Sequence, residues 1–383
     1  MSRINELIKE LCPNGVIYKK YGDVFEIKTG KGITTKEATD DGLYPIISGG
    51  TTPMGYYHSY NRDENIVTVS RVGANAGYVN FITEKFYLND KCFSIIPKDE
   101  FVKCFIPKYI YHYTKNIENK IMELQSEGGV PTINTQKVSN LLMPMLPIDV
   151  QLEIITVLDK FGELEVELEA ELEARKNQYE FWRGKIINMY DSKNIKLSDM
   201  AKIYDGTHST PNYQENGIPF ISVENISNIY GTNKFISKED YKKYKIKPEI
   251  NDVFMTRIGT IGKCSVFEKQ IDLAYYVSLA LIRPNTEIIL PKYLKYVIES
   301  NIGKDELYKR TLVHAVPIKV NKDEIGKIVL PVPSIDDQKK IISKLDKFES
   351  LTESNSSGLP AEIELRRQQY EYYRNKLLNF EVL

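Results

Sequence analysis

Between Ile154 and Ile186 the apolar residues step by threes and fours: Ile154, Leu158, Phe161, Leu164, Leu168, Leu172, Tyr179, Trp182 and Ile186, with Arg175 in the remaining slot. That spacing lines them along one face of an α-helix. A second stripe runs Ile341, Leu345, Phe348 and Leu351, stops, and resumes in the phase of the first at Ile363, Arg366, Tyr370, Tyr373 and Leu377. The interruption, SNSSGLP (354–360), carries Ser, Gly and Pro, which predicts the end of one helix and the start of another at Pro360. Within the first stripe, ELEVELEAELEA (163–174) also alternates with a period of two, as a half-buried strand would. Glu, Leu and Ala are strong helix formers, whereas Glu and Ala are depleted in strands, so the stretch is read as helix. It is so despite Glu residues four apart, each pair of which costs about 0.2–0.5 kcal/mol. Leu158, Leu164, Leu168, Leu172 and Leu345 are expected to pack in a core or against a partner helix. Two such stripes in one chain invite mutual burial as an antiparallel coiled coil.

The rest of the chain reads as short β-rich runs broken by Gly, Pro, Asn and Asp, and it says nearly the same thing twice. GDVFEIKTG (22–30) matches SDMAKIYDG (198–206), and YPIIS (44–48) matches IPFIS (218–222). SRVGANAGYVNF (70–81) aligns with TRIGTIGKCSVF (256–267), placing Arg71 opposite Arg257. IPKYIY (106–111) matches LPKYLKY (290–296), and GVPTIN (129–134) matches AVPIKVN (315–321), with Pro131 opposite Pro317. LPIDVQLEIITVLDKF (146–161) matches VPSIDDQKKIISKLDKF (332–348), and ELEARKNQYEFWRGKIIN (171–188) matches EIELRRQQYEYYRNKLLN (362–379). Matches in constant order at nearly constant offset establish a tandem duplication. Each copy has a mixed part of β runs such as NIVTVSRVG (65–73) and DVFMTRIG (252–259), with a helix-like segment after each Pro-Lys-Tyr, at about 107–125 and 291–310. A helical part follows. The offset grows from 187 residues (Phe161 to Phe348) to 191 (Tyr179 to Tyr370), so the second copy is one helical turn longer where the first carries its acidic tetrads.

The 383 residues allow two or three domains, and 42% hydrophobic with 27% charged residues is an ordinary globular balance. No apolar run approaches about 18 residues and the first residues lack a signal core, so neither a membrane span nor secretion is expected. Cys12, Cys92, Cys104 and Cys264 show no close pairing, and no disulfide framework or metal knuckle is indicated. The expected location is the cytoplasm. A formal net charge of −1 argues against a nonspecific nucleic-acid coat, though a specific binder can still gather positive charge on one face.

Catalytic signatures are missing. TRIGTIGKCS (256–265) hints at a phosphate loop, but Arg257 holds the first Gly position and Cys264 follows Lys263, so the motif fails. No amino-methyltransferase Asn/Asp-Pro-Pro-aromatic stretch and no Pro-Asp opening of the common nuclease motif occurs. His58, His112, His208 and His314 are scattered without metal-binding spacing. No metal site is expected, and a duplicated chain joined by helices suits an adaptor better than an active-site scaffold.

Taken together, ISGGTTPMGYY (47–57), DGTHSTPNY (205–213), SRVGANAGYVNF, the LDKF turns, ELEARKNQYEFWRGK and SSGLPAEIELRRQQYEYYRNKLLNF resemble the specificity subunit of type I restriction–modification systems, over essentially the whole chain. The resemblance implies an α+β fold: two homologous target-recognition domains, 1–145 and 191–331, separated by spacer helices in 146–190 and 332–383 that pair as an antiparallel coiled coil with pseudo-twofold symmetry. It also implies a non-catalytic reader of double-stranded DNA, each domain taking one half of a bipartite asymmetric target, with the helices setting the spacer. Two methyltransferase subunits, binding their own S-adenosylmethionine, and two translocase–nuclease subunits are the implied partners; no cofactor is expected in this chain. Other readings are a protein–protein scaffold without DNA, or a fused enzyme with cryptic catalysis.

Candidate DNA contacts lie in loops of small, polar and basic residues. In the first domain these are Lys31, Thr34, Thr35, Thr51, Thr52, Arg71 and Asn75; in the second, Thr207, His208, Ser209, Thr210, Tyr213, Arg257 and Lys263. Arg71 and Arg257 stand out because the duplication retains them after a β run, and Arg bridges guanine O6 and N7 or clamps phosphate. The bland reading for both is an intradomain ion pair. KEDYKKYKIKP (238–248) could follow a phosphate backbone or simply be a solvated face. Tyr179, Trp182, Tyr370 and Tyr373 are the candidate docking residues for partner subunits.

Overall fold

A computed structural model describes residues 2–39, 41–126, 129–352 and 358–380. Of the SNSSGLP interruption, only its last three residues fall among these. The chain divides into two compact units, one formed by Met1–Leu168 with Ile363–Leu383, the other by Glu169–Glu362.

Each unit is built on an antiparallel four-stranded sheet. In the first the strand order is Phe25–Thr29, Cys92–Pro97, Ile66–Ser70, Val79–Ile82; in the second it is Ala201–Asp205, Leu279–Pro284, Val253–Thr256, Cys264–Val266. The alignment read from the chain is kept residue by residue: Thr29, Phe93 and Val69 lie side by side in one sheet, Asp205, Ala280 and Met255 in the other. The central strands are rich in branched and apolar residues because both faces are covered; Val67, Val69, Val253 and Met255 are all buried. A smaller three-stranded sheet repeats as well. Tyr44–Ile47 pairs antiparallel with Tyr56–Tyr57 and parallel with Tyr87–Leu88, as Ile218–Ile221 does with Phe235–Ile236 and Ala274–Tyr275. Short antiparallel ribbons, Tyr18–Lys20 with Leu142–Pro144 and Ser192–Lys196 with Val329–Pro333, complete each unit.

The helix-like segments after Pro-Lys-Tyr do begin at proline, but each is broken in two. Pro107–Asn116 is followed by Glu118–Met122, and Pro291–Glu299 by Asn301–Tyr308. In the second unit the break is made by Ser300, whose hydroxyl donates to the Val297 carbonyl at 2.7 Å and caps the next helix at Gly303 N–H.

Ile148–Ile187 is one continuous helix, so ELEVELEAELEA is helical. Its first part belongs to the first unit and pairs antiparallel with Leu359–Leu378: Leu158 shares a core with Leu377 and Leu378, Phe161 meets Tyr370 and Tyr373, and Glu165 pairs with Arg367 at 2.6 Å. Its second part belongs to the second unit and pairs antiparallel with Ile335–Thr352, where Tyr179 stacks on Phe348 and the Lys344 ammonium donates to the Tyr190 hydroxyl. Each unit thus combines a mixed domain, the helix that follows it, and the repeat helix of the other copy. Of the stripe leucines, Leu158 and Leu345 are buried and Leu168 and Leu172 are half-buried. Leu164 corrects the expectation: it is 43% exposed, because Glu165, one position on, faces the partner helix through Arg367.

Two glutamines join these helices to their domains in the same way. Buried Gln151 accepts from Ile106 N–H at 2.9 Å and donates to the Cys104 and Leu146 carbonyls. Buried Gln338 accepts from Leu290 N–H at 2.8 Å and donates to the Ile288 and Pro333 carbonyls. One amide therefore satisfies the backbone at two chain ends that have no secondary-structure partner there.

Candidate nucleic-acid interface

In both units one end of the four-stranded sheet is a rim of loops, and its backbone is the same. The Arg71 N–H donates to Lys91 O at 2.7 Å and the Arg71 carbonyl accepts from Ile133 N–H; Arg257 N–H donates to Ser278 O at 3.0 Å and its carbonyl accepts from Val320 N–H. Lys31 N–H donates to Leu88 O, as Thr207 N–H does to Tyr275 O. The glycines before them, Gly30 and Gly206, let these strands close up; a Cβ at either would fall within 2.6 Å of the carbonyls of residues 88–89 or 275–276. VPTIN and VPIKVN earn their place in the duplication here, crossing behind the two arginines.

The side chains on this shared frame differ. In the first unit the rim carries Lys31, Arg71, Asn75 and Lys91, all exposed or half-exposed. Asn75 donates to Gly49 O at 3.1 Å, and Arg71 Nη1 reaches only the Asp90 carbonyl, at 3.4 Å. Among the described residues no carboxylate pairs with Lys31, Arg71 or Lys91. Thr51 and Thr52, in the loop after Tyr44–Ile47, are exposed. Thr34 is engaged locally: its hydroxyl and N–H both donate to Glu37, which holds that carboxyl below its ordinary range. Thr35, beside it, is exposed. Lys91 was not singled out from the sequence, since its counterpart is Ser278 and the duplication gives no signal for it.

In the second unit Arg257 is 7% exposed, ion-paired through Nη1 with Asp205, and donates from Nε to Val320 O at 3.2 Å. Arg257 is therefore an intradomain ion pair and not the exposed guanidinium expected of it. The acid comes from the last residue of the first sheet strand, where the first unit has Thr29. Ser278 is buried and accepts from Val223 N–H.

The other second-unit candidates do converge. Thr207, Ser209 and Thr210 line a cleft of about 640 Å3 together with Asp205, Asp240, Lys243, Tyr244 and Lys245. The lysine-rich segment thus forms the wall opposite the DGTHST loop. The Thr207 hydroxyl is engaged within its own loop, donating to the Ser209 carbonyl at 3.3 Å, and burial raises the Tyr244 hydroxyl above its ordinary value. Lys243 is paired with Asp240 at 2.6 Å, which leaves Lys245 as the wall's lysine without a carboxylate partner among the described residues. His208 is exposed, and Tyr213 is exposed with its ring against Phe220. Lys263 is not part of this group. It lines a separate cleft of about 750 Å3 with Lys176, Lys292, Lys295, Glu299, Asp346 and Glu349.

The candidate docking aromatics divide. Tyr179 is 3% exposed, stacked on Phe348 with the Arg183 guanidinium over its ring, so it is core and not a docking residue. Tyr370 and Tyr373 are half-buried against Phe161. Trp182 is exposed, edge-on to exposed Phe181, with Lys185 over both rings; the other repeat helix shows exposed Tyr372 edge-on to Tyr373, with Lys376 over Tyr372. Phe181 and Tyr372 are the exposed members that sequence reasoning passed over, although each lies beside a residue it named. Among the described residues no group of carboxylates, histidines and cysteines is placed to hold a metal, and no helix is long and apolar enough to cross a membrane.

A duplicated α+β reader with loop rims and paired helices is the class that this architecture defines. The family of the type I restriction modification DNA specificity domain matches twice, at residues 13–175 and 189–365. The chain belongs to that family, the specificity subunits of type I restriction–modification systems, which recognise DNA sequence. Among curated relatives, the specificity subunit of the type I restriction enzyme EcoR124I/EcoR124II of Escherichia coli is 29% identical over 290 residues, covering 71% of this chain and 70% of that one. A putative type I restriction enzyme specificity subunit of Haemophilus influenzae is 27% identical, covering 87% of each. Among solved structures, the S subunit of a type I system from M. genitalium aligns over 96% of both chains with a TM-score of 0.53 at 17% identity. A chain from a structural study of type I complex assembly and conformational transition aligns over 96% of this chain and 98% of its own, at TM-score 0.63 and 14% identity. Specificity subunits of this kind work in a complex with other restriction–modification subunits and DNA.

Proposed function

We propose that this chain supplies no catalytic group of its own and directs two methyltransferase subunits, and in the restriction form two translocase–nuclease subunits, to a bipartite DNA target. Each unit reads one half-site through its loop rim. S-adenosylmethionine is bound by the methyltransferase partners, and the complex works in the cytoplasm. The observation that carries this reading is the duplicated rim: two sheets in identical register, each ending in loops of small, polar and basic residues suited to approach DNA. A scaffold that ignores DNA has no use for that repeated arrangement. Docking of the partners is assigned to Trp182 with Phe181, and to Tyr373 with Tyr372.

The test is co-expression with the methyltransferase subunit and mapping of genomic adenine methylation. A bipartite motif with a fixed gap is expected; methylation unchanged when this chain is deleted would overturn the reading. The continuous helix Ile148–Ile187 supports a second element, that the helical segments set the gap. Deleting one tetrad, Glu167–Ala170, removes about one turn, or about 6 Å, against about 3.4 Å per base pair. The gap should shift by one or two base pairs with both half-sites unchanged. A gap of the original length would count against it.

A further inference from the structure

We propose that the two units grip the DNA backbone with non-equivalent groups: Lys31, Arg71 and Lys91 form a phosphate clamp on the first unit, and the same position on the second unit is neutral by construction. The inference rests on the DNA-reading function above and goes beyond it, because the duplication alone predicts two equal arginines.

The frame is common to both units, so the clamp positions can be compared directly, and there three substitutions separate them; outside the clamp, exposed Lys319 stands where the first unit has Thr132. Lys31 corresponds to Thr207 and Lys91 to Ser278, by the same backbone hydrogen bonds. Arg71 corresponds to Arg257, but Thr29 corresponds to Asp205, and these occupy the same place in the register. The first rim therefore gathers three cations, none of which pairs with a carboxylate among the described residues, Asp90 beside Arg71 included. In the second, the only one of these three positions that keeps a cation, Arg257, is enclosed at 7% exposure and held by Asp205 and the Val320 carbonyl. A guanidinium enclosed and neutralised in that way is shut off from a phosphate, whereas half-exposed Arg71 spends only a long contact to a carbonyl. The second unit is left with contacts from the cleft lined by Thr207, Ser209, Thr210 and Lys245, most of them uncharged.

Phosphate contacts release counterions, so each one adds about 0.9 to the slope of log affinity against log salt, without favouring any sequence. The experiment measures that slope for the complex with its methyltransferase subunits, on a duplex carrying the motif found by methylation mapping and on a scrambled duplex. Arg71→Ala and Lys91→Ala should each flatten the slope by about 0.9 on both duplexes, with the thermal midpoint unchanged. Thr29→Asp, at an exposed position, installs the second unit's acid in the first. It should flatten the slope as Arg71→Ala does, and it keeps the test available if Arg71→Ala fails to fold. Arg257→Ala should lower the thermal midpoint and leave the slope of the folded protein intact. An Arg71→Ala slope equal to wild type, or a loss confined to one base pair of the motif, overturns the clamp. A flattened slope with an unchanged midpoint in Arg257→Ala overturns the asymmetry. If the wild-type complex itself shows no salt-dependent binding, it is the DNA-reading function that fails.

Discussion

The rims of the two recognition units have the same backbone and different chemistry. Arg71 and Arg257 occupy one position in one register, yet the first faces solvent beside two lysines and the second is locked to Asp205. Retention of a residue through duplication therefore does not mean retention of its role. A change at a neighbouring strand, Thr29 against Asp205, converts a surface cation into an internal strut. The same lesson recurs at the helix junctions. Asp159 receives Lys108 at 2.6 Å and His112 Nε2 at 3.1 Å; Asp346, its counterpart, receives Lys292 at 3.3 Å and the Tyr296 hydroxyl at 2.6 Å. Here the role is kept while the residue has changed.

Where the units are alike, they should fail alike. Gln151→Leu and Gln338→Leu each strand a buried N–H and two carbonyls, at about 1–3 kcal/mol per unsatisfied group. Each should lower stability by roughly 3 kcal/mol or more, read by denaturant unfolding, and should loosen hydrogen exchange in its own unit. A loss in only one of the two breaks the equivalence of the junctions.

A smaller effect is expected where the units differ. Arg257→Ala leaves Asp205 and the Val320 carbonyl without their partner. Because Asp205 keeps a quarter of its side chain exposed, the loss should be about 2 kcal/mol, below the ~3–5 of a fully enclosed pair. Arg71→Ala, at a half-exposed site with no paired carboxylate among the described residues, should cost under about 0.5 kcal/mol. Equal losses in unfolding experiments would erase the distinction drawn between the two arginines.

The smallest effect is one of pH. Burial lowers the His112 pKa below its ordinary value, the hydrogen bond to Asp159 only partly opposing it, and its buried Nδ1 has no partner among the described residues. The neutral form is the folded one, so its contribution is present above the unfolded pKa, about 6.5, and is lost as pH falls through the lower folded value. At the matched position Tyr296 is raised, first by burial and then by Glu349, so any sensitivity there lies on the alkaline side. Hydrogen exchange at pH 7.5 and 5.5 should show the first unit loosening more than the second, and His112→Tyr should abolish that difference. The same acid response in His112→Tyr would assign it to other groups.

Much of this molecule was legible before any coordinates. The two-copy order of short β runs, Pro-started helices and three-four stripes specified the strand-bearing segments, the helix starts at Pro107 and Pro291 and the helix through ELEVELEAELEA, because backbone propensity and hydrophobic period are local properties. Gln151 and Gln338 are legible too, each a polar residue repeated within an apolar helix start. Lys91 was not, since nothing within its own stretch marks it. Nor was the burial of Tyr179, which the stripe does not separate from exposed Trp182 until Phe348 is placed against it.

The sequence by itself determined the duplication, the element types and the family, all of which depend on residues close in the chain or repeated along it. Only the tertiary structure decided which cations stand free at the rims and which are locked inside. Whether a guanidinium is free depends on what lies within a few ångströms of it, and Asp205 reaches Arg257 across 52 residues of chain by sheet pairing alone.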